Sequence, residues 1–245
     1  MKRIRLDIAY DGTNFAGYQV QPGKRTVQSK LEHALEKIHK YPVGVHASGR
    51  TDSNVHANQQ VVHFDTALEI EAWQWIRAIQ TLVPDDMLIK EVLFVDKAFD
   101  ARKDAKEKEY KYQVLNQEQF DVFTRHLEWH VKGNLDVQAM QEAAKLIEGT
   151  HDFTAFAASK SNVKGNKTRT IRHCKVKQDG NRIIFSVQGN GFLTYMVRII
   201  VGTLIEIGRG RKTQHHILKA FETNNRNHLG MTAPGHGLRL ERVIY

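Results

Sequence analysis

The feature that most constrains this chain is a change of hydrophobic period that recurs in a fixed order. Residues 3–10 alternate apolar and polar side chains, as a half-buried strand does, whereas residues 26–38 carry apolar side chains at helical spacing. The patterns that follow are two strand-like runs at 43–48 and 59–66, a helix at 71–82 and a strand at 88–95. This β-α-β-β-α-β order typically forms a four-stranded antiparallel sheet with both helices on one face.

The second half of the chain repeats this order with additions. Its patterns predict strands at 107–115 and 127–131, a helix at 136–148, a hairpin of 170–178 with 182–188, helices at 192–207 and 213–223, and a last strand at 238–245. We therefore expect an α+β protein of two tandem β-α-β-β-α-β units, each ferredoxin-like or RRM-like with an antiparallel sheet, joined across a basic cleft. The expected domains are residues 1–105 and 106–245.

Charge and composition narrow the class of partner. The 245 residues are 41% hydrophobic, which is enough to form real cores, and the formal net charge is +9. An acidic partner is favoured, nucleic acid first, because phosphate neutralisation supplies most non-specific affinity. Many basic proteins bind no nucleic acid, so charge alone leaves this open. The open face of an RRM-like sheet can display RNA bases, but such folds have many unrelated functions.

The sequence lacks the signatures of several classes of site. Cys174 is the single cysteine, which excludes an internal disulfide and a multi-cysteine metal site. The chain has no HExxH, P-loop, GxGxxG or GxSxG motif, so neither a metal nor a cofactor is expected. Residues 1–7 form no uninterrupted apolar stretch, and the apolar segment 192–207 is too short to cross a bilayer. We therefore expect a soluble, cytoplasmic protein without a membrane partner.

The stretch GRTDSNVHA (Gly49–Ala57) joins two short strand-like runs and places the carboxylate of Asp52 close to an arginine. Gly, Ser, Thr, Asp and Asn are also the ordinary residues of turns, so a plain turn explains the composition equally simply. A polar loop at strand ends is nevertheless where a rigid scaffold usually displays chemistry. A carboxylate placed there can act as a nucleophile or as a base.

Arg198 stands inside the apolar run MVRIIV (Met196–Val201). An arginine in a buried helix needs a carboxylate partner, because an unpaired charge is costly in the interior. Asp52 is the partner that we favour. The alternative is that Arg198 lies on the outer face of its helix and extends to water.

Two further groups of residues suit RNA binding. Tyr110 and Tyr112 lie two residues apart on one predicted strand, so both rings project from the same sheet face. Tyr110 can stack on a base or fill the core, and the core is favoured for Tyr112. The acid-free segment 160–177 suits phosphate contacts, although a solvated basic loop explains it nearly as well. Its basic residues are Lys160, Lys164, Lys167, Arg169, Arg172, Lys175 and Lys177.

From end to end, the chain resembles the TruA-type tRNA pseudouridine synthases. The matching motifs, in order, are YDGTNFAGYQVQ (Tyr10–Gln21), TVQSKLEHAL (Thr26–Leu35), GRTDSNVHA followed by QQVVHF, FDAR (Phe99–Arg102), EYKY (Glu109–Tyr112), HDFTAF (His151–Phe156) and GFLTYMVRIIVG (Gly191–Gly202). Each motif alone is modest evidence, but the ordered series is highly specific.

This resemblance implies an enzyme that isomerises uridine to pseudouridine at nucleotides 38 to 40 of the tRNA anticodon stem-loop. It also implies a cofactor-independent homodimer, with one tRNA spanning both subunits and a catalytic cleft in each. By motif, Asp52 would be the catalytic aspartate and Arg50 would help to flip the target nucleotide. Tyr110 would stack on the base, and Arg198 would pair with the aspartate. Further candidates for substrate binding are Arg102, Lys160, Lys164, Lys167 and Arg169.

Three positions depart from the family pattern. Asn54 stands where glycine is usual, although asparagine readily adopts positive φ. Tyr18 replaces a frequent tryptophan, and Thr194-Tyr195 stand where a basic residue or histidine is common. Two other functions remain open on the sequence: a non-catalytic RNA-binding or RNA-chaperone protein, and a nucleic-acid glycosidase that uses the same carboxylate.

Overall fold

The computed structural model describes residues 1–158 and 165–245. The chain folds into two compact units, one of residues 1–106 with 239–245 and one of residues 107–238. In the described residues five α-helices accompany strands that pair mostly antiparallel, which confirms the α+β class. None of the helices in these stretches has the length and apolar character needed to cross a membrane.

The first unit begins with the predicted order of elements. They are β1 (Lys2–Tyr10), α1 (Val27–His39), β2 (His46–Ala47), β3 (His56–Thr66), α2 (Ala72–Gln80) and β4 (Met87–Val95). β1 pairs antiparallel with both β3 and β4, and β2 pairs antiparallel with β3. The strand order is therefore β4-β1-β3-β2.

The core of the first unit follows directly from the two hydrophobic periods. The alternating residues Ile4, Leu6 and Ile8 of β1 are fully buried, because side chains two apart on a strand share a face. On the helices, the fully buried residues spaced three or four apart include Leu31, Leu35, Trp75 and Ile79. The sheet and both helices therefore enclose one apolar layer.

The last strand of the chain is β10 (Leu238–Ile244). Its residues from Arg239 onward lie in the first unit, where Arg239 and Leu240 pair in parallel with His56 and Ala57 of β3. The sequence-based domain 106–245 includes this strand with the second half. Hydrophobic alternation identifies a strand but does not identify its partner.

The second unit holds the remaining elements. They are β5 (Glu107–Leu115), β6 (Trp129–His130), α3 (Val137–Lys145), β7 (Gly149–Asp152), β8 (Thr168–Asp179), β9 (Arg182–Gly189), α4 (Met196–Gly208) and α5 (Gln214–Thr223). The antiparallel order is β5-β9-β8-β7, and β6 pairs in parallel with the end of β5. The sequence did not predict β7, whose four residues are too few to show a period.

The start of α4 differs from the prediction. The helix predicted over 192–207 begins at Met196, because Tyr195 has the left-handed dihedrals φ 65° and ψ 2°. A right-handed helix does not continue through that conformation. From Met196 onward every residue of α4 is buried except Arg198 and Glu206, which are half-buried.

Candidate active site

Asp52 lies on the turn between β2 and β3 in the first unit. The backbone N–H of Val55 donates to the Asp52 carbonyl at 3.2 Å, so the segment is a turn, as its composition indicates. Asn54 adopts φ 63°, which is the positive φ anticipated for the position where the family usually has glycine. The Asp52 side chain is half-buried, and Arg50 is exposed. The segment is therefore a turn that also carries a partly exposed carboxylate, so the two interpretations of its sequence are compatible.

The first of the ordered motifs, YDGTNFAGYQVQ, holds the backbone on both sides of Asp52. Before it, the Tyr18 N–H donates to the Thr51 carbonyl at 3.0 Å. After it, the Asn54 N–H donates to the Phe15 carbonyl at 3.3 Å. Main-chain hydrogen bonds therefore hold the backbone on both sides of Asp52 in place.

Two glycines of this motif allow the close approach. A Cβ atom on Gly12 would lie 2.1 Å from the Val55 carbonyl oxygen, which is far inside contact distance. Gly17 has φ +98°, and its Cβ would lie 2.9 Å from the Thr51 carbonyl oxygen. Larger residues at either position would displace the turn that carries Asp52.

Two tyrosines of the same motif pack beneath the turn. The Tyr10 hydroxyl forms a hydrogen bond of 2.8 Å with the Thr51 hydroxyl, and burial raises the pKa of Tyr10 to about 12. Burial also raises the pKa of Tyr18. Among the described residues the Tyr18 hydroxyl finds no hydrogen-bond partner, although the side chain is 3% exposed. Both side chains are therefore neutral, and the Tyr10 hydroxyl supports the turn through Thr51.

Contacts within the second unit hold the side chain of Arg198. Its Nε donates to the Ala233 carbonyl at 2.7 Å, and its guanidinium carbon lies 4.6 Å from the ring centroid of Tyr195. The Ala233 N–H donates in return to the Arg198 carbonyl at 3.1 Å. The half-buried side chain is thus fixed by protein groups, and it is not simply extended to water as the alternative interpretation expects.

The two tyrosines of β5 have different surroundings. Tyr112 is fully buried and donates its hydroxyl proton to the Pro234 carbonyl at 2.8 Å, which confirms its place in the core. Tyr110 is 9% exposed, and its ring meets the Phe192 ring edge-on at 5.0 Å between centroids. The Tyr110 ring is therefore held at a fixed angle.

The loop that contains the FDAR motif is anchored within the first unit. The Tyr245 hydroxyl donates to the Ala101 carbonyl at 2.7 Å, and the Ala101 N–H donates to His63 Nδ1 at 3.1 Å. Burial and the nearby Arg3 charge lower the pKa of His63, which keeps that ring nitrogen able to accept. These contacts leave Arg102 exposed at the end of the motif.

The basic segment is only partly described. Lys160 and Lys164 lie outside the described residues. Lys167 is half-buried, and half-buried Arg169 turns its Nη1 towards its own chain, donating to the Thr168 carbonyl at 2.7 Å and to the Asn166 carbonyl at 3.2 Å. A phosphate contact through Nη1 of Arg169 would compete with these two bonds.

No group of three or more His, Cys, Asp or Glu side chains in residues 1–158 and 165–245 is arranged to hold a metal ion. The candidate reactive and binding groups of the first unit are a half-buried carboxylate and exposed arginines. Those of the second unit are the guanidinium of Arg198 and the edge-packed ring of Tyr110.

Comparison with known proteins decides the family. The family model of tRNA pseudouridine synthase matches residues 8–114 and 143–245, which include the Asp52 turn, all of β5 but its last residue, and α4. This chain belongs to the tRNA pseudouridine synthase family. The resemblance read from the ordered motifs is therefore confirmed.

Curated members of the family match almost the whole chain. The tRNA pseudouridine synthase A of Anoxybacillus flavithermus is 51% identical over 100% of this chain and 99% of its own length. The protein of the same name from Halalkalibacterium halodurans is 51% identical over 97% of this chain and 90% of its own length. The protein of the same name from a Geobacillus species is 48% identical over 100% of this chain and 98% of its own length.

Sequence reasoning missed several residues that support the family's motifs. It did not identify Thr51, Gly12 and Gly17 as the contacts that fix the Asp52 turn, although they lie in the quoted motifs. It also did not link Ala233 or Tyr195 to Arg198. A motif shows that residues belong together, but only coordinates show which backbone atoms meet.

Proposed function

We propose that this chain isomerises uridine to pseudouridine at nucleotides 38 to 40 of the tRNA anticodon stem-loop, with Asp52 as the essential carboxylate. Membership of the tRNA pseudouridine synthase family, over nearly the whole chain, carries the reaction. The assignment of Asp52 is supported by its turn, where main-chain hydrogen bonds on either side hold a half-buried carboxylate in place.

The reaction suits a site built from a carboxylate and cations. A glycosidic bond breaks and the uracil ring is rejoined to the sugar through carbon, so the product has the mass of the substrate and no electrons are gained or lost. A uridine in a stem is shielded by stacking, and extruding it costs a few kcal/mol. Asp52 would then act as a nucleophile or as a base.

The other site residues receive the roles that the family resemblance implies. Arg198 would pair with Asp52 and keep it ionised, because an adjacent cation lowers the pKa of a carboxylate. The fixed guanidinium supports this role. Tyr110 would stack on the extruded base, and the fixed angle of its ring supports that. Arg50 would contact the flipped nucleotide, which its exposure permits.

The remaining basic residues would bind phosphates of the tRNA. Exposed Arg102 is the best supported of these, and Lys167 and Arg169 are the other described candidates. We propose the same role for Lys160 and Lys164. A cytoplasmic homodimer that binds one tRNA is the assembly that the resemblance implies.

We also infer that the two units are variants of one ferredoxin-like plan. In the first unit, β1-α1-β2-β3-α2 places its strands in the order β1-β3-β2. In the second, β5-α3-β8-β9-α4 places its strands in the order β5-β9-β8. The equivalent order supports an internal duplication, with β6 and β7 as additions.

The function is tested by incubating the protein with unmodified tRNA and mapping pseudouridine chemically. We expect new pseudouridine at one or more of nucleotides 38 to 40. Asp52→Asn should abolish turnover while tRNA binding persists within about threefold, because the substitution changes one acceptor in a large polar interface. Asp85→Asn, which alters an exposed carboxylate of the same unit, is the matched control and should behave like the unaltered protein.

Each alternative predicts a different outcome. Absence of new pseudouridine in the anticodon arm of every tRNA tested would overturn the proposal. Binding without turnover by the unaltered protein would favour a non-catalytic RNA-binding protein. Release of free uracil would identify a glycosidase. Turnover by Asp52→Asn would remove the role assigned to that carboxylate.

A further inference from the structure

Tyr195 has a backbone conformation that its residue type and its position both disfavour. The described non-glycine residues with positive φ are Lys40, Asn54, Tyr195 and Asn224. Lys40 and Asn224 are C-caps, where the left-handed conformation is usual, and Asn54 is a residue type that tolerates it. Tyr195 instead directly precedes a helix, where extended dihedrals are normal, and it makes no side-chain capping bond.

This conformation brings the tyrosine ring against Arg198. The guanidinium carbon lies 4.6 Å from the ring centroid, within the range of a cation–π interaction. On a second side, Arg198 Nε donates to the Ala233 carbonyl at 2.7 Å. The ring covers the guanidinium and the carbonyl holds one edge, so together they fix its position and its plane.

The carbonyl support is itself fixed to α4. The Ala233 N–H donates to the Arg198 carbonyl at 3.1 Å, and the Gly230 N–H donates to the Thr203 hydroxyl at 2.9 Å. The segment that carries Ala233 therefore stays in place when the ring is changed. The Tyr195 ring then contributes to the orientation of the guanidinium about its Nε bond.

We propose that Tyr195 is a positioning residue, whose ring holds Arg198 in the orientation in which its guanidinium serves the reaction. The strained backbone persists because it places the ring there, as strain at functional sites generally does. The inference rests on the catalytic role proposed for Arg198. It also gives a task to a residue that departs from the family pattern, in which a basic residue or histidine is common.

Three substitutions separate the ring from the backbone conformation. Tyr195→Asn and Tyr195→Gly adopt positive φ at least as readily but remove the ring. Tyr195→Phe keeps the ring. For the first two we expect kcat to fall about tenfold, because a cation–π contact of this kind contributes a free energy equivalent to about that factor. The thermal midpoint should stay unchanged or rise, because both residues adopt the positive φ at least as readily as tyrosine does. The KM for tRNA should stay within about twofold, because Arg198 acts on the reacting groups rather than on phosphates.

Tyr195→Phe should restore most of the kcat lost in the asparagine variant. Normal kcat in both ringless variants would overturn the inference, as would a rise in KM with unchanged kcat. Failure of the phenylalanine variant to exceed the asparagine variant would also overturn it, because the ring would then not be the active feature.

A double-mutant cycle distinguishes this inference from the role of Arg198 itself. We expect Arg198→Lys to lower the single-turnover rate, and Tyr195→Asn to lower it no further in that background, because the ring acts through the guanidinium. Fully additive losses would contradict the positioning role. A normal rate in Arg198→Lys alone would instead overturn the proposed role of Arg198, on which the inference depends.

Discussion

The turn that carries Asp52 and the helix start that carries Arg198 differ in the contacts that hold them. Each includes a residue with left-handed dihedrals, Asn54 in the turn and Tyr195 before α4. Backbone hydrogen bonds from the N–H groups of Tyr18 and Asn54 fix the main chain of the turn. Arg198 is fixed through its side chain, by a carbonyl and a ring. Glycine should therefore replace Asn54 with most of the activity kept, whereas glycine in place of Tyr195 should lower the activity.

The largest effect should come from closing the space between the turn and its support. Gly12→Ala places a Cβ 2.1 Å from the Val55 carbonyl oxygen, so the turn must move. We expect a loss of about 3 kcal/mol in the free energy of unfolding, the upper end for overpacking, and a fall in kcat of at least about a hundredfold. Chemical denaturation and pseudouridine formation measure the two effects.

Gly44→Ala is the matched control for this substitution. Nothing lies within 4 Å of a Cβ at Gly44, and its φ is not positive, so both quantities should stay near those of the unaltered protein. Equal behaviour of the two alanine variants would contradict a backbone-held turn.

Substitutions at Asn54 test the turn's left-handed position directly. Asn54→Ala loses a hydrogen bond of 2.7 Å to the Thr13 carbonyl and strains the backbone, so we expect a loss of about 2 kcal/mol in the free energy of unfolding. Asn54→Gly loses the side-chain hydrogen bonding without straining the backbone, so we expect a loss of about 1 kcal/mol and most of kcat kept. Denaturation and turnover assays on both variants are sufficient. If glycine is no better than alanine, conformation is not what this position supplies.

The FDAR loop is held by side chains, and one of them titrates. Burial lowers the pKa of His63 below its usual 6.5, and its Nδ1 accepts from the Ala101 N–H. As the pH falls, His63 therefore binds a proton in the unfolded chain before it does so in the folded protein. Stability from this group is complete above about pH 6.5 and is lost as the pH falls through the lowered pKa.

Thermal midpoints between pH 7.5 and pH 5 measure that loss. His63→Gln should reduce the slope of midpoint against pH, whereas His33→Gln, at an exposed histidine, should leave the slope unchanged. The same slope in all three proteins would show that His63 does not anchor the loop through its neutral ring.

The smallest effect is expected at the tyrosines beneath the turn. Tyr18→Phe removes a buried hydroxyl that has no partner among the described residues, and should raise the free energy of unfolding by about 1 kcal/mol. Tyr10→Phe removes a hydroxyl bonded to Thr51, and should lower it by about the same amount. Denaturation curves compare the pair. A loss at Tyr18 would mean that its hydroxyl is bonded in solution.

The sequence predicted the elements better than their ends and partners. Alternation located β5 at Glu107–Leu115, the bounds that the structure has. It placed the start of α4 four residues too early, because a tyrosine gives no local signal of left-handed dihedrals. It also gave no partner for β10, since parallel pairing with β3 depends on contacts distant in sequence.

For the site, spacing alone left Asp52 as a residue of an ordinary turn. The ordered motifs identified the family, which the family model confirms. The sequence could not show why the first motif contains Gly12 and Gly17, because these residues matter through the backbone atoms that they approach in the folded chain. The roles of Asp52, Arg198 and Tyr110 remain predictions.

The single-turnover rate of Asp52→Glu, measured on full-length unmodified tRNA, tests the central claim most directly. The variant keeps the carboxylate but moves it by one methylene on a turn whose backbone is fixed at both sides. We predict a rate lower by about a hundredfold or more, because a misplacement of about 1 Å costs that much at a reacting centre. A rate near that of the unaltered protein would contradict the claim that the turn positions Asp52 for the chemistry.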